Sequence, residues 1–283
     1  MRFLITGATG DVGSKVVRRL VELGERPRLF VRDAAKARTL FGDGLEAAVG
    51  NLADVQAFRA AMAGAEAVFL VTSGPGIPDL DRLAAEAAKQ TGVGRLVKLS
   101  SLDVEQSLAI GRWHELGEAA VRASGVPFTF VRPSGFMTNL LAWSHPIRAE
   151  GVVRSSTGNG RRPFIHSEDI AAVVVRALTA SQYAGMSLAI TGPEALTFEE
   201  ITARISRTVG RTLRYQPISD EEAGHRFAGT GAAEEEVGAH VELWQAIRQG
   251  KLAAVTDGVK QVLGREPIGI DSWIEENREA FGG

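Results

Sequence analysis

The chain has 283 residues, of which 45% are hydrophobic and 23% are charged, and its formal net charge is −2. This composition is typical of a globular protein with a sizeable core, and the charge predicts neither a nucleic-acid nor an anionic-membrane partner. The absence of cysteine excludes disulfides, thiolate catalysis and zinc–cysteine sites. No apolar run reaches the ~20 residues of a membrane helix, and no signal peptide is evident, so we expect a cytoplasmic protein.

The first thirteen residues predict a strand, a glycine-rich turn and the start of a helix. The apolar run Arg2–Thr6 is followed by Gly7–Gly13 and then by apolar residues at helical spacing. This order is typical of a nucleotide-binding loop. Its glycines permit a tight turn that lies close to a pyrophosphate, and the pyrophosphate binds at the N-terminus of the helix. An ordinary strand–helix turn is the alternative. The residues predicted to bind a dinucleotide here are Gly7, Thr9, Gly10, Asp11, Val12 and Gly13.

Apolar runs and helical patterns alternate through the first half of the chain. Strict alternation indicates right-handed βαβ units, so we predict an α/β fold with a doubly wound parallel sheet of the Rossmann type. Further strands are expected at 28–31, 45–49, 67–71, 95–99 and 128–131, and helices at 34–40, 54–62, 79–90 (with Asp79 as the N-cap) and 111–123.

The alternation becomes irregular after Pro133. Three elements are expected next: a polar loop at 155–163, a buried helix at 169–178 and a short strand at 188–190 that rejoins the sheet. Three later helix starts fit capping boxes, at Thr197, Ser219 and Ser272. We therefore predict a cofactor-binding domain over 1–133 and a smaller, mostly helical substrate-binding subdomain over 134–283.

The end of the second strand predicts which dinucleotide is bound. Arg32 stands there, with Asp33 directly after it and Lys36 one helical turn further on. An acidic residue at this place binds the ribose hydroxyls of NAD, whereas an arginine binds the 2′-phosphate of NADP. We predict NADP(H), bound by Arg32 and Lys36. A solvated Arg32–Asp33 pair is the alternative, and Asp33 leaves NAD open unless it serves as a helix N-cap.

The ends of the next two strands also predict cofactor contacts, because ligands of parallel sheets bind beyond the carboxyl ends of the strands. Asn51 and Leu52 follow the third strand and are expected near the adenine. Thr72 and Ser73 follow the fourth strand and are expected to line the middle of the cofactor. A plain turn is the alternative for each pair.

These motifs resemble a known family. Thr6–Gly13, Phe30–Asp33, Val97–Ser101 and Val131–Asn139 are similar to segments of the NmrA-like atypical short-chain dehydrogenase/reductases. The resemblance spans nearly the whole chain and is nearest the branch of NADPH quinone oxidoreductase and triphenylmethane reductase. It implies a Rossmann fold, an NADP(H) site and a small apolar substrate cleft. The family includes both reductases and non-catalytic cofactor sensors.

The chain departs from typical short-chain dehydrogenases on the helix after the fifth strand. Those enzymes carry Tyr-x-x-x-Lys, whereas His114 and Glu118 stand at the matching places here, on one helix face. Hydride transfer needs no protein nucleophile, and a quinone-like acceptor can take its proton from water. We therefore still expect reduction, with His114 as a candidate proton donor whose unperturbed pKa is ~6.5. A structural His114–Glu118 pair is the alternative.

The fifth strand adds two polar candidates. Lys98 interrupts an apolar run, and because such a lysine is rarely unpaired, it either reaches the cofactor from beneath or extends to the sheet edge. Ser100 stands where the usual catalytic serine sits and either bonds a substrate oxygen or caps the next segment. Candidates for the substrate cleft, each with the protein core as its alternative, are Trp113, Phe136, Met137 and Trp143. The five histidines show no metal-ligand spacing, so we predict no metal.

Two classes of function remain open from the sequence. The first is an NADPH-dependent oxidoreductase that reduces a small conjugated acceptor, such as a quinone, a ketone or a dye-like compound. The second is a catalytically silent NADP(H)-binding redox sensor, and a pathway enzyme for one elaborate ketone is a further variant of the first. A small-molecule substrate and a monomer or homodimer are expected.

Overall fold

The computed structural model describes residues 3–283, so Arg2 of the predicted first strand lies outside the described residues. The chain forms two compact units, both discontinuous in sequence. The first unit contains the described residues up to Leu102, Arg112–Pro133 and Ser167–Ala189. The second contains Asp103–Gly111, Ser134–His166 and Ile190–Gly283. Residues 167–187, which the predicted boundary at Pro133 assigns to the second domain, thus belong to the first unit.

Twelve strands are seen in the described residues. They are β1 (Phe3–Thr6), β2 (Arg28–Val31), β3 (Ala47–Val49), β4 (Ala67–Val71), β5 (Arg95–Leu99), β6 (Phe128–Pro133), β7 (Gly135–Phe136), β8 (Val152–Ser155), β9 (Arg161–Ile165), β10 (Met186–Ile190), β11 (Ala195–Thr197) and β12 (Arg214–Pro217).

The α-helices are α1 (Asp11–Glu22), α2 (Ala34–Phe41), α3 (Val55–Met62), α4 (Ile77–Thr91), α5 (Ala109–Ser124), α6 (Ser144–Glu150), α7 (Ser167–Thr179), α8 (Phe198–Val209), α9 (Asp220–Ala228), α10 (Glu234–Arg248), α11 (Gly258–Leu263) and α12 (Ile270–Glu276). Short 3-10 turns occur between them, for example over Leu102–Gln106 and Met137–Trp143. Within residues 3–283 we find no helix with both the length and the apolar character needed to cross a bilayer.

The central sheet has seven strands in the order β10-β6-β5-β4-β1-β2-β3. The pairs from β3 to β6 are parallel. The order changes direction at β1, between β2 on one side and β4 on the other. In a doubly wound sheet this switch point is where ligands bind, beyond the carboxyl ends of the strands.

Helices cover both faces of this sheet. Alternate strand residues point to opposite faces, and Leu4, Val68 and Leu96 pack on one face in a cluster with buried residues of α3, α4 and α5. On the other face, α7 packs against α1 and against β4, β5 and β6. Burial on both faces explains the continuous apolar runs of the strands, and the predicted doubly wound Rossmann fold is confirmed.

The second unit is built from helices and two small sheets. Its strands pair in the orders β11-β9-β7 and β12-β8. Its core joins Ile201 and Ile205 of α8 to Trp273 and Ile274 of α12. The capping box at Thr197, which starts α8, is confirmed because Thr197 and Glu200 bond each other's backbone N–H groups.

Most predicted elements agree with the structure, and β10 joins the sheet beside β6 as predicted. Three predictions are wrong. The helix α4 begins at Ile77, so Asp79 lies in its first turn and does not cap it. Ser272 lies inside α12, whose N-cap is Gly269. The polar stretch 155–163 is only partly a loop, because β9 starts at Arg161, where it pairs with β11.

Candidate functional site

The glycine-rich turn between β1 and α1 is tightly closed. Gly7 has φ of +60°, a conformation that glycine adopts without steric cost. The N–H of Gly10 donates to the carbonyl oxygen of Gly7 at 2.9 Å. A Cβ atom on Gly13 would lie 2.1 Å from that same oxygen. The helix therefore starts directly against the turn, and a side chain at position 13 does not fit.

The start of α1 has no side-chain cap. Its N-cap residue is Gly10, and no side chain bonds the first-turn N–H groups, so these donors remain for a ligand or water. With the positive end of the helix dipole, they fit the pyrophosphate of a dinucleotide. Asp11 would repel this anion, but its carboxylate pairs with Lys15 at 2.6 Å. The other predicted loop residues, Thr9 and Val12, are half-buried and buried respectively.

At the end of β2, Arg32 and Asp33 have different surroundings. Asp33 is the N-cap of α2, and its Oδ1 accepts from the N–H groups of Ala35 (2.8 Å) and Lys36 (3.1 Å). Arg32 is exposed, and its guanidinium bonds no other group among residues 3–283. The Arg32–Asp33 pair considered above is therefore not formed. Both capping bonds are accepted by Oδ1, so one oxygen of the carboxylate that NAD would need is already used, while the guanidinium of Arg32 remains available.

Three of the four predicted cofactor residues that follow β3 and β4 already make contacts within the protein. Asn51 accepts a hydrogen bond from the N–H of Ala53 at 2.9 Å, and Leu52 packs against the core of the first unit. Ser73 is exposed, whereas Thr72 is buried and donates to Oδ1 of Asp81 at 2.8 Å. The contacts of these four predicted residues with a cofactor stay predictions.

Lys98 on β5 is wholly buried in an ion pair. Its Nζ lies 2.7 Å from Oδ2 of Asp81, and both side chains have zero exposure. Its ammonium also contacts Thr72 Oγ1 at 3.3 Å. Burial lowers the pKa of Lys98 and raises the pKa of Asp81, since each charge has left water. The lysine is paired, as predicted, and it does not extend to the sheet edge.

His114 on α5 lies beside this pair, with its Nδ1 3.4 Å from Nζ of Lys98. Burial, together with the positive charge of Lys98, lowers the pKa of His114 to about 3. The ordinary pKa expected from the sequence is wrong for this site, and the imidazole is neutral at physiological pH. His114 and Glu118 do not bond each other in the part of the chain that the structure describes, so the predicted pair between them is not formed.

Glu118 instead binds two arginines and a serine. It is wholly buried, and it accepts from Nε of Arg132 at 2.8 Å and from Arg122 at 3.0 Å. The hydroxyl of Ser100 donates to Oε1 of Glu118 at 2.7 Å. Because the proton of Ser100 is used inside the protein, this serine has only oxygen lone pairs to offer a substrate.

Asp81 is the residue of this cluster that sequence reasoning missed. Its position carried a signal, because it falls at helical spacing between Ile77 and Ala84, on the buried face of α4. A second signal was Gly117 on α5, where a Cβ atom would lie 2.0 Å from Oδ2 of Asp81. A charged residue on an apolar helix face and a glycine inside a helix are both unusual, and in this structure Asp81 packs directly against Gly117.

The substrate candidates of the second unit differ in burial. Met137 is 1% exposed and belongs to the core. Trp143 is half-buried and packs edge-on against Phe198 with 5.1 Å between the ring centres, so both side chains have a structural role. Phe136 is half-buried, as is Trp113 of the first unit. Among the described residues no cluster of acidic and histidine side chains has metal-binding geometry.

The fold and this site define a Rossmann-type dinucleotide-binding protein. Residues 7–181 match the NAD(P)H-binding family, and the chain belongs to that family. It is 40% identical over 282 residues to the (4-alkanoyl-5-oxo-2,5-dihydrofuran-3-yl)methyl phosphate reductase of Streptomyces griseus, with 98% of each chain covered. It is 37% identical over 284 residues to the NAD(P)H azoreductase of Xenophilus azovorans, with 99% of each covered.

A solved structure agrees with this assignment of the fold. The NADPH-dependent quinone oxidoreductase of Escherichia coli, in complex with NADPH, superposes with a TM-score of 0.88 at 22% identity, covering 97% of this chain and 99% of that one. The resemblance inferred from the motifs, to NmrA-like reductases near the quinone oxidoreductase branch, is thus confirmed.

Proposed function

We propose that this protein is an NADPH-dependent reductase that transfers a hydride directly to a small conjugated acceptor, without a tyrosine–lysine pair. Relatives that align over nearly the whole chain are an azoreductase and a reductase of an alkanoyl dihydrofuranone phosphate. Azo compounds, acyl dihydrofuranones and quinones share an electron-poor conjugated system that accepts a hydride. This shared chemistry supports the class of the acceptor.

One observation carries the choice of cofactor. At the end of β2 the carboxylate of Asp33 is used to cap α2, whereas the guanidinium of Arg32 is exposed and has no partner within residues 3–283. A free guanidinium suits a phosphate, which it can bind through two parallel hydrogen bonds. The 2′-phosphate that distinguishes NADP from NAD is therefore the expected ligand of Arg32, with Lys36 beside it.

The residues of the chain have separate tasks in this proposal. When bound, NADPH supplies the hydride. The loop Gly7–Gly13 holds the pyrophosphate, and Thr72 and Ser73 line the middle of the cofactor. Lys98 lies beneath the site and acts on it through Thr72 and His114. A conjugated acceptor takes its proton from water after the hydride arrives, so reduction does not depend on the missing tyrosine.

The cofactor assignment is tested by titrating the wild-type protein and Arg32→Ala with NADPH and NADH. A charge-assisted hydrogen bond contributes about 1.5–3 kcal/mol, so the variant is expected to lose about ten- to hundredfold in NADPH affinity with little change for NADH. Arg38→Ala is a matched control on the next helix, because Arg38 is ion-paired with Asp43. Equal wild-type affinity for both cofactors would contradict the assignment.

The reaction is tested by following NADPH oxidation with a panel of quinones, azo dyes, triphenylmethane dyes and acyl dihydrofuranones. Turnover of one or more of these classes is expected. Clear NADPH binding with no turnover of any acceptor would refute the reductase and favour the redox sensor.

A further inference from the structure

We infer that the buried Asp81–Lys98 pair holds His114 as the neutral tautomer with its proton on Nε2, and that this N–H donates a hydrogen bond to the acceptor as it is reduced. The second half of this inference rests on the reductase function proposed above. Asp81 and Lys98 are positioning residues, since they act through His114. The acceptors that this site favours have an oxygen or nitrogen with a lone pair where negative charge develops.

The tautomer follows from the chemistry of the lysine. An ammonium group only donates hydrogen bonds, and Nζ of Lys98 faces Oδ2 of Asp81 at 2.7 Å and Nδ1 of His114 at 3.4 Å. The ring nitrogen that faces Lys98 must therefore be the acceptor. In a neutral imidazole the proton then lies on Nε2, for which no hydrogen-bond partner is found among residues 3–283.

The contacts of Nζ are those that the charged form of Lys98, an ammonium group, would make. Thr72 donates to Oδ1 of Asp81 and accepts from Nζ of Lys98, and the same Nζ lies 2.7 Å from Oδ2 of Asp81. Gly117 leaves room for this carboxylate against α5. A buried carboxylate and ammonium are stable when each satisfies the other and neighbouring dipoles complete the network.

Lys98 on β5 is the charged group that acts on His114, and Asp81 on α4 and Glu118 on α5 are the carboxylates that act on Lys98 in turn. Together with burial, the ammonium of Lys98, 3.4 Å from Nδ1, opposes a second proton on the ring, while the charge of Glu118 is balanced by Arg122 and Arg132. The pKa of His114 is accordingly lowered to about 3. His114 thus stays neutral, and a hydrogen-bond donor through one ring nitrogen, between pH 5 and pH 8.

This arrangement gives the histidine an electrostatic task. The acceptor gains a hydride, with both electrons, and then one proton from water; the cofactor is left oxidised. His114 keeps its own proton and stabilises the negative charge that develops on the acceptor before water protonates it. Such preorganised donors in a buried site commonly contribute ~10²–10³ in rate.

The tautomer is tested by ¹⁵N NMR of histidine-labelled full-length protein between pH 5 and pH 8, without cofactor or acceptor. The resonances of His114 are identified as those that vanish in His114→Gln. We expect Nε2 protonated and Nδ1 unprotonated over the whole range. A proton on Nδ1, or a titration of His114 above pH 5, would overturn the inference. In Lys98→Met the His114 resonances are expected to titrate at a higher pH.

The hydrogen-bond role is tested by kinetics with an acceptor that is turned over. His114→Ala is expected to lower kcat about 10²–10³-fold, whereas His114→Gln, which retains an N–H donor, recovers part of the loss, and the exposed His225→Gln has no effect. The wild-type kcat should be flat from pH 5 to pH 8. A limb near pH 6.5, or an unchanged His114→Ala, refutes the role. If no acceptor is turned over, both the proposed function and the hydrogen-bond role of His114 are refuted. The NMR result tests the tautomer independently of turnover.

Discussion

The neutral state of His114 makes a quantitative prediction about stability. In the unfolded chain the imidazole has a pKa of 6.5, whereas in the folded protein burial and Lys98 lower it to about 3. Between these values the unfolded state binds more protons, so stability is lost as the pH falls below 6.5, and the loss is complete below pH 3. At pH 5 the linkage relation gives a loss of about 2 kcal/mol relative to pH 8.

The measurement is urea unfolding at pH 8 and pH 5. Wild-type protein is compared with His114→Gln, in which this titration is absent. The variant loses packing and the Lys98 contact at both pH values, so only the change between them is diagnostic. We expect the wild type to lose about 2 kcal/mol more than the variant on going to pH 5.

The control is His225→Gln, because His225 is exposed on α9. Its substitution should leave the pH dependence as in the wild type. If wild-type and His114→Gln proteins lose the same stability between pH 8 and pH 5, the imidazole is protonated in the folded state and the reasoning about the Lys98 contact is refuted.

Two further predictions concern other parts of the molecule. Gly13→Ala places a Cβ atom against the backbone of Gly7. We therefore expect a loss of about 1–3 kcal/mol of stability in thermal unfolding and a loss of NADPH binding in titrations. The control is Gly44→Ala, which has open space around it and should leave both stability and binding unchanged. Asp103→Asn removes the negative charge opposite the buried Arg162, 3.0 Å away, and leaves the guanidinium charge uncompensated, so it should cost about 3–5 kcal/mol in urea unfolding. A loss below about 1 kcal/mol, as at a surface pair, would contradict that account.

Part of the site follows from adjacent residues alone. The glycine-rich loop and the residues at strand ends lie next to the elements that position them, so their sequence order places them beyond the carboxyl ends of the strands. Even the capping role of Asp33 is local, because it depends on the first turn of the next helix. The strands 28–31, 67–71 and 95–99 have the predicted bounds for the same reason.

The buried charges required the tertiary structure. Lys98 is visible in the sequence as an anomaly, but its partner stands on a separate helix, and no local pattern pairs them. The same holds for Glu118, whose arginines come from α5 and β6. Ser100 matches the place of a catalytic serine, yet only the structure shows that its proton goes to Glu118.

The sequence by itself thus determined the Rossmann core and the nucleotide-binding loop, since both depend on periodicity and on glycine at fixed positions. The tertiary structure decided the protonation of His114. A pKa depends on burial and on charges brought together from several elements, and the sheet register places Lys98 between α4 and α5. The loop Gly7–Gly13 can be recognised from consecutive residues of the sequence. The lowered pKa of His114, in contrast, depends on the packing of β5, α4 and α5.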